Sequence, residues 1–460
     1  MGKIPVILIF DVGKTNKKIL LYNEQYNVVH EENKQFSEMQ AEDGFPCEDV
    51  NALTAWVKSS FISLSKNERF EIRAVNFSAY GASFVYLDEK GNVFLPLYNY
   101  LTPYPQDLQK KFYAKYGDEN LFAKRTASPV LGNLNSGMQL YRLKYEKPDT
   151  FSKIKYALHL PQYLSYILCG KTGTDITSIG CHTALWDFEN DEYHQWVKQE
   201  GILEKFSPIK NSSTIAGFTE SRTPVGIGLH DSSSALIPYL SSFTDPFVLI
   251  STGTWSISLN PFNHSPLSDD ELKQDCLCYL SFEGKPVKAS RLFAGQEHDE
   301  QLKRLSTHFN TDPDYFKNVK YDVELKNKLR IEMETRSSQN KFEIGQFIFD
   351  KRDLGVYKNF EEAYHQLIAD IIKLQVQSTS LVLKGTSVKK IFVDGGFSQN
   401  YIYMQMLTES FPEIEIFAAS IPQASALGAA LVFHQHWNRK ELPMKIIDLK
   451  LYSIKKGTVL

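Results

Sequence analysis

Two short stretches hold the residues best suited to chemistry. Gly228-Leu229-His230-Asp231-Ser232 sets one carboxylate beside a glycine turn, and about twenty residues later Ser251-Thr252-Gly253-Thr254-Trp255 follows an apolar run. Bare backbone amides cradle phosphate and a carboxylate can take a proton, so this pairing suits a base that must meet a phosphate donor. Phosphoryl transfer is the chemistry expected. It calls for a second phosphate turn, a carboxylate for a metal ion and a nucleotide pocket.

Asp11-Val12-Gly13-Lys14-Thr15-Asn16-Lys17 answers the first two needs. Gly13 lets backbone approach phosphate, Thr15 and Asn16 donate hydrogen bonds, Lys14 or Lys17 brings positive charge, and Asp11 suits a hydrated magnesium ion. A strand rather than a helix follows, so this is not a Walker loop. In Asp394-Gly395-Gly396-Phe397-Ser398-Gln399-Asn400, paired glycines at a strand end admit a nucleotide against bare backbone. Ser78-Ala79-Tyr80-Gly81-Ala82-Ser83 reads equally well as a polyol-binding strand end or a tightly packed turn.

The elements that must position these residues are legible from hydrophobic period. Val6 to Phe10 is a continuous apolar run, a strand buried on both faces, and Ile19 to Tyr22 returns as its hairpin partner. Phe247 to Ile250, the Ser251–Trp255 loop and Ile257 onward repeat that layout, with Gly253 lying 240 residues after Gly13. A duplicated architecture follows, one hairpin per half. Residues 49–66 and 360–383 are expected to be helices, 72–78 and 388–393 strands, and 157–168 a helix with a proline near its start and Gly170 beyond its end. Residues 174–183 read as a polar loop in which His182 is a packed histidine, 309–345 as polar with little strand pattern, and 424–430 as a small-residue helix suited to close packing.

At 460 residues the chain exceeds one ordinary core, and two domains are expected, 1–225 and 226–440, with 441–460 as a tail. A net charge of -3 gives no footprint for nucleic acid. Five irregularly spaced cysteines make neither a disulfide framework nor a zinc site, which points to a reducing cytoplasm. The opening apolar run is too short for a signal segment, and nowhere do about 18 apolar residues run together to span a membrane. The many Phe and Tyr residues are expected to fill the core before any sugar-stacking role.

Taken together, the turns resemble the FGGY family of carbohydrate kinases over most of the chain. The likeness rests on Asp11 to Asn16, Gly228-Leu229-His230-Asp231, Gly253-Thr254, Gly395 to Asn400 and the helix from Ala424 to Ala430, in that order. Ser251-Thr252-Gly253-Thr254-Trp255-Ser256 and Pro161 to Tyr166 are most similar to rhamnulokinases and fuculokinases. The resemblance implies an α/β fold of two actin-like (ribonuclease-H-like) domains with an interdomain cleft, ATP and Mg2+ as cofactors, and a small-molecule sugar as partner, with a homodimer left open. It implies Asp231 as catalytic base and Asp11 at the metal. Gly13, Lys14, Thr15, Asn16, Gly253, Thr254, Gly295, Gly395, Gly396 and Asn400 would meet the nucleotide, and Ser78, Tyr80, Gly81, Ser83, His230 and Asp231 the sugar.

Two departures stand out. Serines occupy positions 78 and 83, where rhamnulokinases carry acids, and the glycine-rich segment before the adenine-side helix is reduced to Ala294-Gly295-Gln296-Glu297. A pocket without those carboxylates makes fewer charged hydrogen bonds to sugar hydroxyls. The expected acceptor is the O1 hydroxyl of a deoxyketohexose, L-rhamnulose or L-fuculose. The alternatives are another ketose or polyol such as xylulose, ribulose or glycerol, a non-catalytic actin-like sensor, and a phosphatase or ATPase of the same fold.

Overall fold

The run from Val6 to Phe10 has no polar face to show to water, and it forms the middle of a strand, β1 (Ile4–Val12), buried on both sides. The computed structural model describes residues 2–42, 44–325, 327–328, 346–421, 423–443 and 445–453. They form two units: Met1–Phe243 with Leu277–Pro286 and Pro422–Ile446, and Thr244–Cys276 with Val287–Ile421 and Ile447–Leu460.

In the first unit β1 is followed by β2 (Lys17–Asn23), β3 (Val28–Lys34), β4 (Phe70–Ala79), β5 (Ile215–Phe218) and β6 (Pro224–Gly226). The sheet order is β3-β2-β1-β4-β6-β5, with β1 and β6 both parallel to β4 and the other pairs antiparallel. Helix α1 (Val50–Ser65) starts where the Asp49 carboxylate accepts from the Asn51 and Ala52 amides, and buries Val50, Leu53, Val57, Phe61 and Leu64 at helical spacing. Helix α2 (Leu160–Cys169) ends on Gly170, whose left-handed φ of 66° closes the last turn onto the Tyr166 carbonyl. The residues just before it, Tyr156–His159, are a strand paired with Phe84–Leu87, so the helix expected from 157 begins later. A short apolar run satisfies either period, and here the strand partner decided it. The expected loop 174–183 contains the short strand Thr174–Asp175 and the one-turn helix Ile176–Ile179.

Helix α3 (Asp231–Ser242) completes this part of the unit. Just before it, Leu229–His230 pairs parallel to the end of β4, Leu229 opposite Ser78 and His230 opposite Ala79. That pairing keeps residues 226–243 with the first unit, so the division falls after Phe243 and not at 225.

The second unit has β7 (Phe247–Thr252), β8 (Ser256–Asn260), β9 (Pro286–Leu292), β10 (Lys390–Gly395), β11 (Glu415–Ser420) and β12 (Asp448–Tyr452). They run β9-β8-β7-β10-β11-β12, with β10 parallel to β7 and to β11 and the other pairs antiparallel. Strand for strand this repeats the order and directions of the first sheet, which is the duplication the two hairpins foretold. Its helices are α4 (Ala294–Phe309), α5 (Phe360–Leu383) and α6 (Tyr401–Ser410). The expected tail from 441 contributes β12, and the polar stretch 309–345 lies outside the described residues at 326 and 329–345.

Helix α7 (Ala424–Leu431) follows β11 in sequence but belongs to the first unit. It packs on α3 so closely that a Cβ at Gly428 would lie 1.9 Å from the Ser234 carbonyl oxygen. Among the described residues no helix is long and apolar enough to cross a membrane.

Candidate active site

The sheet of the first unit brings its acids together through register. Asp11 lies opposite Ser78, and Ser78 opposite Leu229, so across three neighbouring strands the row ends two residues before Asp231. Asp231 is the first residue of α3, where the unpaired amides of the opening turn favour a negative side chain. The Ser232 amide donates to its Oδ1 at 2.6 Å, His230 Nε2 lies 3.3 Å from the same oxygen, and the side chain is 33% exposed, enough for a substrate to reach.

Asp11 is held differently. Burial pushes its carboxyl up to about 6 and the nearby Asp231 adds to the rise, while hydrogen bonding by Ser425 pulls it down. Ser425 Oγ donates to Asp11 Oδ2 at 2.9 Å. Two neighbouring carboxylates are hard oxygen donors whose repulsion a divalent cation would relieve, so Asp11 and Asp231 could hold magnesium. Among the described residues no group of three or more His, Cys, Asp or Glu side chains is gathered for a metal.

The turn between β1 and β2 is closed by the Gly13 amide donating to the Asn16 carbonyl at 2.9 Å. Thr15 and Asn16 are exposed. The two lysines, however, are already neutralised. Lys17 is buried and pairs with Glu48 at 3.1 Å, and Lys14 reaches Glu38 at 3.2 Å and Glu48 at 3.5 Å. Lys18, opposite Asp11 in register, donates instead to the Gln423 amide oxygen at 2.6 Å.

Around the expected sugar segment, Ser78 and Ser83 are 0% and 1% exposed and Tyr80 is buried, so the serines face inward. Gly81 has a steric reason: a Cβ there would stand 2.8 Å from Cδ2 of His230. His230 itself is buried, and its imidazole is held below the usual range by burial, with Asp231 opposing.

In the second unit three glycines close on one loop. The Gly253 amide donates to the Trp255 carbonyl at 2.8 Å. A Cβ at Gly295 would lie 1.8 Å from the Gly253 oxygen, and one at Gly395 would lie 1.8 Å from the Thr252 oxygen. Gly395 also has φ 82° and ψ −154°, a region that glycine alone occupies readily. Thr252 ties the loops together: its hydroxyl donates to the Asp394 carbonyl and accepts from the Phe397 amide at 3.0 Å. Beside them opens a cavity of about 590 Å³, in the range of small-molecule pockets, lined by Gly253, Gly295, His298, Phe316, Gly396 and Asn400 among others. Thr254 is exposed on the same loop.

Asn400 is partly committed. Its Oδ1 accepts from the Tyr403 amide at 3.1 Å as the cap of α6, and its Nδ2 donates to the Tyr364 hydroxyl at 2.7 Å. That leaves one N–H and one lone pair for a ligand. The same Tyr364 hydroxyl lies 3.0 Å from His298 Nε2.

Sequence reasoning missed Ser425, Thr252 and His298. Thr252 stood in view beside Gly253. His298 lies one helical turn beyond Gly295, a spacing that would have placed both on one face of α4. Nothing local connects Ser425 to Asp11.

Residues 6–238 match the N-terminal domain of the FGGY family of carbohydrate kinases, and residues 244–441 match the C-terminal domain of carbohydrate kinase FGGY. The chain belongs to that family. A rhamnulokinase from Mannheimia succiniciproducens is 25% identical over 262 residues, 54% of this chain and 52% of the relative, so the chain spans about half the length of the curated relatives it matches. A carbohydrate kinase from Novosphingobium aromaticivorans superposes with a TM-score of 0.77 at 20% identity, covering 98% of this chain and 94% of the other. A ligand-bound xylulose kinase from Lactobacillus acidophilus gives 0.76 at 17%, covering 97% and 93%. At such identities the likeness is one of fold, the two-domain actin-like α/β architecture.

Proposed function

We propose that the chain is an ATP-dependent sugar kinase that phosphorylates a primary hydroxyl of a ketose, with L-rhamnulose or L-fuculose at O1 as the first acceptors to test. The observation that carries this reading is Asp231 at the exposed head of α3, placed by strand register beside Asp11. ATP at the cavity of the second unit is the donor, with Gly253, Gly295 and Gly396 bringing bare backbone to it. Asp231 Oδ2 accepts the hydroxyl proton as the substrate oxygen bonds to the γ-phosphorus and the bond to the ADP oxygen breaks. Little deprotonation is needed early in such a transfer, so Asp231 acts chiefly by orienting the hydroxyl. Asp11, with Asp231 nearby, would hold magnesium, which would supply neutralisation of phosphate charge. Thr15 and Asn16 supply donors at the first turn, which the Gly13 amide closes onto the Asn16 carbonyl.

Gly81 leaves room for the His230 ring, while the buried Ser78 and Ser83 put small side chains where rhamnulokinases carry acids. That substitution favours a second reading, an acceptor such as xylulose, ribulose or glycerol. A panel of ketoses and polyols with coupled ADP detection separates the two. A preference for L-rhamnulose or L-fuculose supports the first assignment, and preference for another acceptor replaces the sugar but keeps the kinase. ADP release without any acceptor points to an ATPase. Sugar binding in calorimetry with no ADP formed points to a sensor.

A further inference from the structure

Thr177 sits in the one-turn helix Ile176–Ile179, and neither its side chain nor its backbone has a part in the chemistry above. It is completely buried, as are Asp175 and Ser212. Its hydroxyl lies in a directed chain of hydrogen bonds. The His230 amide donates to Thr177 Oγ1 at 3.0 Å, and that hydroxyl donates in turn to Asp175 Oδ1. The polarity is forced, because an amide can only donate and a carboxylate can only accept.

Asp175 is itself immobilised. The Thr177 amide donates to Oδ1 at 2.9 Å and Ser212 Oγ to Oδ2 at 2.6 Å, while its backbone pairs in parallel with Ile209–Lys210. All these donors point at one carboxylate, which suits its charged form and strengthens each bond. The far end of the chain is the amide of the residue immediately before Asp231.

We infer that Thr177, braced by Asp175 and Ser212, is a positioning residue for Asp231: it fixes the backbone at His230 and so the direction in which the carboxylate enters the acceptor site. This rests on the kinase reading. A group that must meet a hydroxyl within hydrogen-bond reach tolerates little displacement, and Asp231 stands at the head of a helix whose preceding strand is only two residues long.

The test compares Thr177→Val, which keeps the shape and removes the hydroxyl, with Thr177→Ser, which keeps the hydroxyl. With the best acceptor from the panel, Thr177→Val is expected to lower kcat about tenfold or more with KM for ATP unchanged, and Thr177→Ser to recover it to within about threefold. In an Asp231→Asn background Thr177→Val is expected to add little, because it acts through the carboxylate already removed. Hydrogen exchange of the peptide containing His230 is expected to quicken in Thr177→Val and not in Thr177→Ser. Normal turnover in Thr177→Val, or an equal loss in the Asp231→Asn background, overturns the inference. If the unaltered chain forms no ADP with any acceptor, the kinase reading fails, and the exchange comparison then decides the anchor: unchanged exchange at His230 removes it.

Discussion

At the scale of single residues, the side chains named for chemistry differ in how freely they can change. Asp231→Asn keeps the shape and hydrogen bonds of the helix start but cannot take a proton, so turnover is expected to fall by about two orders of magnitude or more. ADP binding measured by calorimetry should stay unchanged, since the nucleotide cavity is built from other residues. Gly395→Ala acts the other way. A methyl group there meets the Thr252 oxygen and a backbone conformation hostile to L-residues, so ADP affinity is expected to fall about tenfold or more while Asp231 is untouched. Asp175 gives a pH signature. Burial raises its carboxyl to about 6 despite hydrogen bonds from Ser212 and Thr177. Between the unfolded value of about 4 and the folded value, the folded protein holds a proton that the unfolded chain has released, so stability falls as pH rises through that window. Relative to Asp175→Asn, the unaltered chain should lose on the order of 3 kcal/mol between pH 4 and pH 7, read from urea midpoints. Asp11 and Asp231 were legible because each sits in a local pattern of strand, turn and glycine. Ser425, 414 residues from the Asp11 it hydrogen-bonds, was not, and the capture of Lys14 and Lys17 by Glu48 was equally invisible, because in sequence a lysine beside a turn looks free.

Elements carry the next level of constraint. The two hairpins were readable as a pair since an apolar run, a glycine turn and a returning strand leave the same trace twice, and the two sheets repeat one order of parallel and antiparallel neighbours. Between helices the trace was partial: the small residues of 424–430 marked a helix suited to close packing but not the helix it meets. Gly428 against Ser234 looked in sequence like one small residue among several. Gly428→Ala is expected to force α7 from α3 and to cost about 1–3 kcal/mol, measured by denaturant melts, with turnover falling because Asp231 begins α3. A second load falls on Glu200, which accepts from Lys115 at 2.7 Å, Lys144 at 2.6 Å, Tyr145 at 3.1 Å and also Tyr116. Burial would raise its carboxyl, but hydrogen bonds from Lys115, Lys144 and Tyr116 outweigh that and hold it down to about 2. Glu200→Gln is expected to cost about 2 kcal/mol near neutral pH, and the difference from the unaltered chain should shrink as pH falls from 4 toward 2, where the parent loses this charge too.

For the whole molecule, composition and duplication indicated two α/β units, but not how the chain is shared between them. The first unit takes back Leu277–Pro286 and Pro422–Ile446 after the second has begun. Leu280 lies in its core with Ile179 and Leu185, and α7 supplies Ser425 to Asp11. A fragment of residues 1–243 is therefore expected to lack native packing, seen as poor dispersion in its NMR spectrum and a broad thermal transition. A sharp cooperative melt would show that those segments are dispensable. The same threading sets a clock on biosynthesis. After Phe243 leaves the ribosome, about 200 further residues must be made before the last segment of the first unit exists, some 10–40 s at ordinary elongation rates. Through that interval the Asp231 helix has an open flank where α7 belongs, with Ser234 still waiting for Gly428 and for the Ser425 carbonyl.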